Sequence, residues 1–336
     1  MVTIYDIAKK TGVSVTTVSK VLNDYDDVSQ KTKKKILEAV EELGYLPNSH
    51  ARTLTTKKSW TIGVVFVESL GIGMKHPFFS AVIESFRKNV ETEGYDLLFA
   101  SRNIGNKKKS YLKHFQYRGV DGVVIVCSTY NDEQVQELID NPLPTVVIDL
   151  QSDKSSVVYS DNISGSQLAV EYLYSLGHRK IAHIAGHPST YAGEQRQIGF
   201  IQAMKDLNLS VPEEYIVDGK YFSRDSGYEA MKKLLQLNSP PTAIFAAGDN
   251  LAIGAIESIR DSGYEVPRDF SIVGFDDIEL SQYVNPPLTT IKQNTDIIGK
   301  EAAKLLIKQI INNGKNVESI SVPVHLVTRK SCSEIG

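Results

Sequence analysis

Val15, Thr16, Thr17, Ser19 and Lys20 crowd one short stretch near the start of the chain, and their types suit the reading of a DNA groove. Small polar and cationic side chains near the N-terminus of a helix reach base edges while the opposite, apolar face packs on a supporting helix. Threonine hydroxyls bond phosphate or base, threonine and valine methyls meet thymine methyls, and Lys20 can reach guanine or phosphate. The same pattern describes a helical hairpin with a solvated polar face, so the stretch alone leaves both readings open. Further along, Asp276 follows the apolar run Ser271–Phe275, at the strand end where open α/β sheets hold ligands. Other chemistry finds no support. His76, His178, His183 and His187 lack a cysteine or third ligand at metal spacing. No Walker A loop, G-x-G-x-x-G cradle, G-x-S-x-G elbow or Cys–His pair occurs. The expectation is a protein that is not an enzyme and uses no metal or cofactor.

The elements that must position these residues fall into two textures. Thr3 is placed to cap a helix from Ile4 to about Thr11, with Ile4, Ile7 and Ala8 on one face. Gly12 breaks it. Ser14 caps a second helix, Val15–Leu22, whose apolar side is Val18, Val21 and Leu22. Ser29 starts a third, with Ile36, Leu37, Val40 and Leu43 at helical spacing, and Gly44 ends it. This is a helix-turn-helix layout with a supporting helix. After Trp60, apolar β-type runs (62–67, 96–100, 122–126, 145–148, 180–185, 243–246, 271–275 and 289–292) alternate with amphipathic helices over 79–93, 165–176, 196–207, 226–237 and 251–262. The alternation predicts parallel α/β sheets covered by helices, arranged as two sheets or a barrel. The polar, serine-rich stretch Asp149–Asp161 reads as a crossing between two lobes.

Composition bounds the function classes. The chain has 336 residues, 41% hydrophobic and 23% charged, which is ordinary globular composition with length for two or three domains. The N-terminus lacks a signal-peptide apolar stretch, no apolar run is long enough to span a membrane, and two cysteines build no disulfide framework. A cytoplasmic protein without membrane contact is expected. The net charge of −3 hides an asymmetry: residues 1–60 carry ten Lys/Arg against seven Asp/Glu, and the rest is acidic. A basic head on an acidic body suits one part touching a polyanion while the other stays off it.

The motifs decide between the open readings. IYDIAKKTGVSVTTVSKVLN followed by LGYLPNSHARTL resembles the LacI/GalR (lactose-repressor-like) family of bacterial transcription regulators. The resemblance continues in order through DNISGSQLAVEYLYSLGHRKIAHIAG, RQIGF, DNLAIGAI, SIVGFDD and PPLTTIKQ. It implies an all-α helix-turn-helix head (1–46), a hinge helix and linker (47–60), and an α/β body of two parallel-sheet lobes resembling periplasmic binding proteins. The lobes would comprise 61–160 with 291–322, and 161–290 with 323–336. It also implies a homodimer bound to a near-palindromic operator in double-stranded DNA. Thr3, Tyr5, Ser19, Asn23 and Thr32 would contact phosphates, and Val15, Thr16 and Lys20 would face bases. Two hinge helices, ordered on DNA, would insert Leu54 as a wedge between central base pairs, with Arg52 near phosphate. Asp24, Asp26 and Asp27 put acid beside this face, for which the Lys31–Lys35 cluster is one source of compensation.

For the body, the resemblance implies a cleft between the lobes that closes on a small-molecule effector, a sugar or sugar phosphate. Arg196 in RQIGF corresponds to the family's effector arginine, Asp276 is the first acid of GFDD, and Phe222 corresponds to an aromatic wall. Phe78 and Phe79 start the first helix of the N-terminal lobe beside the cleft, and Asp149 and Gln293 sit at crossing strands. Gly248-Asp249 stands where family members often have Asn-Asp, which removes a hydroxyl contact. The expected function is an effector-controlled repressor of a carbohydrate-utilisation operon. The alternative is a global catabolite regulator whose corepressor is a phosphorylated carrier protein. Without a leucine-heptad extension after Arg329, a tetramer built on a C-terminal coiled coil is disfavoured.

Overall fold

A computed structural model describes residues 2–23, 25–46, 58–67, 73–100, 103–104, 107–127, 132–314 and 316–335. The expected hinge helix, with Arg52 and Leu54, lies outside the described residues. The chain divides into two compact units: residues 1–61 with 119–121, and residues 62–118 with 122–336.

The first unit carries three helices: α1 (Ile4–Thr11), α2 (Val15–Leu22) and α3 (Gln30–Leu43). Their limits follow from local chemistry. The Asp6 carboxylate accepts from both the backbone N–H and the hydroxyl of Thr3, 2.8 Å each, which fixes the start of α1. Gly12 ends α1 in the left-handed conformation at φ 66°, where an L side chain would be strained. Ser14 and Ser29 cap α2 and α3 by accepting from the N–H groups of Thr17 and Thr32. Ile7, Ala8, Val18, Val21, Ile36 and Ala39 make the shared core. Leu37, expected inside, is 52% exposed; the inward face of α3 runs through Ile36 and Ala39 instead.

The second unit is an α/β body with two six-stranded sheets. Its first sheet contains β1 (Thr61–Phe66), β2 (Asp96–Phe99), β5 (Gly122–Cys127), β6 (Thr145–Ile148), β7 (Ser156–Ser160) and β13 (Ser319–Val322), in the order β13-β7-β6-β5-β1-β2. Two short strands, β3 (Asn103–Ile104) and β4 (Lys107–Lys108), pair separately. The second sheet contains β8 (Ile181–Ala185), β9 (Ile216–Asp218), β10 (Ala243–Ala246), β11 (Ser271–Asp276), β12 (Thr289–Lys292) and β14 (His325–Val327), in the order β14-β12-β11-β10-β8-β9. Its pairings are parallel except β12 with β14.

Eight helices accompany these strands among the described residues: α4 (Pro77–Thr92), α5 (Tyr111–Arg118), α6 (Glu133–Asp140), α7 (Asn162–Ser175), α8 (Tyr191–Asp206), α9 (Arg224–Leu235), α10 (Asp249–Asp261) and α11 (Thr295–Ile311). Helices α9 and α10 pack on one face of the second sheet with Ile184, Ile244 and Ile272, while α7 and α8 pack on the other with Ile181, Phe245 and Val273. Strands buried on both faces need apolar residues at every position, which is why they read as continuous runs. None of the described helices is long and apolar enough to cross a membrane.

The chain passes between the sheets three times: from β7 into α7, from β12 into α11, and from β13 into β14. The first passage corrects the sequence reading. Asp149–Asp161 is not all crossing, because it contains β7, a buried strand parallel to β6. Its serines read as loop, yet Ser156 donates to the Asn316 carbonyl at 2.9 Å and accepts from Gln309 Nε2 at 2.8 Å. The second passage begins after Lys292, so Ile291 and Lys292 belong to the second sheet.

Candidate functional site

On the head, most of the polar residues expected to meet DNA have side chains engaged with near neighbours. Tyr5 is 71% exposed and Thr16 is exposed. Val15 is half-buried against the three-helix core. Thr3 bonds Asp6, Thr17 shares a 2.8 Å hydroxyl contact with Ser14, and Thr32 shares one of 2.9 Å with Ser29. Asn23 turns its amide back onto the Ser19 carbonyl at 2.8 Å, closing the end of α2. Lys20 forms an ion pair with Asp27, and Lys33 lies 3.8 Å from Asp26. The acids beside this face are therefore balanced partly by Lys20 itself. The Lys20 ammonium, through a hydrogen bond and its charge, holds the Asp27 carboxyl below its usual range.

In the body, all seven residues expected around an effector, Phe78, Phe79, Asp149, Arg196, Phe222, Asp276 and Gln293, line one cavity of about 50 Å³. The topology explains the meeting point. In the first sheet the chain leaves β1 for β2 on one side and β5 on the other; in the second, β8 lies between β9 and β10. Ligand crevices form outside the carboxyl ends of strands at such reversals. His76–Phe79 lie on the connection following β1, Gly248 follows β10, Asp276 ends β11 and Gln293 follows β12.

Arg196 is the centre of the arrangement. It projects from the second turn of α8, and its side chain is only 3% exposed. Nε donates to Asn162 Oδ1 at 2.8 Å, and Nη1 donates to the Ala247 carbonyl at 2.6 Å and to Asp276 Oδ1 at 3.4 Å. The guanidinium lies 3.7 Å from the Phe275 ring centre. Gln293 Nε2 donates to the same Asp276 oxygen at 2.7 Å. Burial pushes the Asp276 carboxyl up, opposed chiefly by the charge of Arg196. Burial likewise pushes Asp149 up to about 6 against the attraction of Arg196, and its Oδ1 has no hydrogen-bond partner. Gln293 Oε1 and Asn162 Nδ2 are also buried and unpartnered. Unsatisfied buried polar atoms are rare in folded proteins, and two of these three belong to cavity-lining residues.

Backbone strain gathers at the same place. Asp149, Phe222 and Asp276 adopt positive φ values of 54°, 66° and 123°. Such conformations cost about 1–3 kcal/mol each and cluster at functional sites. The Phe222 ring fits because two glycines clear its path: a Cβ on Gly186 would lie 2.2 Å from the ring and one on Gly248 3.0 Å from it. This gives Gly248 a physical reason. A side chain there would start in the space that Phe222 occupies.

The two neighbours of these residues do structural work. Asp249 accepts from Thr290 Oγ1 at 2.5 Å and from the N–H of Ile278 at 2.9 Å, tying β12 to the turn after Asp276. Asp277 is held by Arg329 at 2.5 Å and Lys292 at 3.4 Å. The histidines are likewise occupied. His183 is sandwiched between Phe200 and Phe245, His187 stacks on Tyr221, and His178 bonds Thr242. His76 lines the cavity and stacks against Phe79. Sequence reasoning missed His76, Ala192 and Asn250 as lining residues, and Asn162 as the partner of Arg196. Asn162 gains its role from a residue 34 positions away, which no local pattern announces.

Comparison with known proteins bears on both units. Residues 3–48 match the profile of bacterial regulatory proteins of the lacI family, and residues 170–332 that of the periplasmic binding protein-like domain. The HTH-type transcriptional repressor PurR of Mannheimia succiniciproducens is 35% identical over 341 residues, spanning 100% of both chains. The chain belongs to the lacI family. It is a DNA-binding transcriptional repressor with an effector-binding body, and its relatives are repressors rather than enzymes. Among solved structures, the lac repressor dimer bound to operator and the anti-inducer ONPF aligns with a TM-score of 0.83 at 29% identity, covering 99% of each chain. The transcriptional regulator CelR–cellobiose complex aligns with a TM-score of 0.73 at 30% identity, covering 98% of this chain and 100% of the other.

Proposed function

We propose that this lacI-family repressor binds a near-palindromic operator as a homodimer, and that a small polar effector held between the two lobes controls it. The observation that carries the effector reading is the Arg196–Asp276 pair, buried at the carboxyl ends of the strands and enclosed by residues of both sheets. A planar guanidinium beside a carboxylate grips adjacent hydroxyls, and phenylalanine faces cover a ring. On this reading the ligand is a sugar and the target a carbohydrate-utilisation operon. The solved relative with bound cellobiose supports the sugar. A second reading, a flat heterocycle such as a nucleobase, is favoured by the three phenylalanines on the wall and by 35% identity over the full length to a repressor called PurR. Nothing among the described residues favours a carrier-protein corepressor over a ligand in the cleft.

The cavity of about 50 Å³ holds little more than one water at about 30 Å³, well below the ~300–1,000 Å³ of ordinary ligand sites. The lobes must therefore part for a ligand to enter, by hinge motion at the three crossings. A ligand that prefers one lobe angle then biases a two-state equilibrium, and this is what lets it change operator affinity. The head would use Thr3, Tyr5, Val15, Thr16, Thr17, Ser19, Lys20, Asn23 and Thr32, with Arg52 and Leu54 contributing from the hinge.

The test uses the full-length protein. Selection from a random duplex pool is expected to return a two-fold-related site, and a thermal-shift panel of sugars and nucleobases to return a ligand whose effect disappears in Arg196→Ala and in Asp276→Ala. Recovery of no preferred duplex sequence, with or without these compounds, would defeat the operator reading.

A further inference from the structure

His183 fills a slot that an apolar side chain would fill with less loss of stability. It stands on β8 with no exposed surface. Its imidazole lies nearly flat between the rings of Phe200, 4.9 Å away at 19°, and Phe245, 4.8 Å away at 16°. Nδ1 is 2.9 Å from the Phe245 carbonyl oxygen. A carbonyl only accepts, so Nδ1 carries the proton and Nε2 is left with a lone pair. That lone pair meets no donor. Burial pushes the imidazole down to about 4, so the ring is uncharged at neutral pH. An orphaned buried acceptor weakens a fold, and leucine or phenylalanine in the same place would leave none.

The groups that the imidazole touches lead to Arg196. Phe245 packs on Phe275 with ring centres 6.5 Å apart, and Phe275 carries the Arg196 guanidinium at 3.7 Å. Phe200 and Arg196 lie about one turn apart on α8. The helix therefore rests on the second sheet at two points, Phe200 on His183 and Arg196 on Phe275. The circuit closes through the backbone. His183 and Phe245 are register partners on β8 and β10. His183 holds the Phe245 carbonyl, and Arg196 Nη1 holds that of Ala247, immediately past the strand. The next residue, Gly248, lines the cavity. One imidazole thus fastens both the helix that carries Arg196 and the strand end that receives it.

We propose, resting on the effector reading above, that His183 is a positioning residue for the effector site. Through its stack on Phe200 and its Nδ1–H bond to Phe245 it sets where the Arg196 guanidinium stands, without meeting the effector itself. The imidazole is not among the residues that line the cavity, so its influence on binding passes through Arg196. Binding groups must be held to within about 0.5 Å of their working geometry by residues that are themselves locked by packing and hydrogen bonds. The stack supplies the packing and the carbonyl bond supplies the lock.

Two substitutions in the full-length repressor test this. His183→Phe keeps the stack and drops the bond; His183→Leu drops both. Three quantities are measured for each protein: stability in urea, solvent exchange of the Arg196 Nε–H by NMR, and binding of D-ribose, cellobiose and adenine by calorimetry. In the wild type that Nε–H is donated to Asn162 and sheltered. The expected result for His183→Phe is stability equal to or above wild type, because the orphaned acceptor is gone. Its Arg196 Nε–H should nevertheless exchange at least tenfold faster, and whichever compound binds the wild type should bind at least fivefold more weakly. Both changes should be larger in His183→Leu. A purely structural histidine gives a different pattern, in which exchange and affinity change only as far as global stability falls, and that pattern overturns the proposal. Unchanged Nε–H exchange in both variants overturns it as well, as does faster exchange with unaltered affinity. If the wild type binds none of the three compounds, the failure falls on the effector reading, and the exchange rates alone decide whether His183 fixes Arg196.

Discussion

The head and the cleft are both polar sites, but they are assembled on opposite principles. On the head, the partners of Thr3, Thr17, Thr32 and Lys20 lie three, three, three and seven residues away, at the surface. In the cleft, the partners of Arg196 lie 34, 51 and 80 residues away, in the interior. Local, exposed pairs are each worth little, and water or a phosphate oxygen can replace them at small cost. Buried pairs between distant segments are worth much more when broken, because the group left behind has no solvent to turn to. A surface that must exchange its own partners for DNA suits the first design. A site that must keep its shape while a ligand comes and goes suits the second, and its pairs are built within one lobe: Asn162, Ala247 and Asp276 all lie, like Arg196, on elements of the second sheet and the helices packed on it.

The comparison is most easily broken at Arg196. Arg196→Ala leaves Asp276 and Asp149 facing each other without the guanidinium, and loss of one partner from a buried pair costs about 3–5 kcal/mol. Urea unfolding of the full-length protein should show a loss of that size together with a lost effector response. A loss below about 1 kcal/mol would place the cleft in the same energetic class as the surface pairs.

Asp149 sharpens the same contrast through pH. Its folded carboxyl is pushed up to about 6 by burial, above an ordinary value of 3.8. The folded state therefore binds this proton more tightly than the unfolded one does. Its contribution to stability is fully present below about 4 and is lost as pH rises through about 6. The swing is on the order of 3 kcal/mol. Arg196, Asp276 and Tyr191 act on or beside this carboxyl, and Asp249 and Asp276 are displaced in the same direction. The informative quantity is thus the difference between wild type and Asp149→Asn in urea titrations from pH 4 to 7. That difference should slope with pH in this window; a flat one would mean that Asp149 titrates normally.

How much of this was legible in the sequence follows the same division. The head could be read almost residue by residue, because caps, a glycine turn and helical spacing act over three or four positions. Ser14, Ser29, Gly12 and Gly44 mark the ends observed. In the body, strands buried on both faces were visible as apolar runs, but the helices that carry the site begin earlier than their apolar periodicity. Helix α8 starts at Tyr191 rather than Arg196, and α10 at Asp249 rather than Leu251. First turns are capped by polar side chains and show no apolar stripe, so periodicity enters late. β7 escaped because its Ser156 is satisfied by Gln309 and Asn316, far away in sequence. The seven cavity residues were legible through family motifs, whereas Asn162 and the crowding of Phe222 against Gly186 and Gly248 exist only once the chain has folded.

The smallest expected effect lies on the head, and it tests whether exposed pairs there are as replaceable as the comparison holds. Asp27 occupies the ammonium of Lys20, the residue expected to reach base or phosphate from α2. Both side chains are exposed, so separating them costs little. In Asp27→Asn, Lys20 no longer has to leave a partner before it meets DNA, and a negative charge is removed from beside the phosphates. Operator affinity should rise a few-fold at low salt, and the logarithmic salt dependence should steepen by up to about one charge. The gain should shrink as salt rises, because screening weakens the pair in the free protein and the repulsion in the complex together. Fluorescence anisotropy on the selected operator across a salt series measures both quantities. A gain above a hundredfold that persists at high salt would mean that the pair is held as firmly as the one in the cleft, and the division between the two sites would no longer stand.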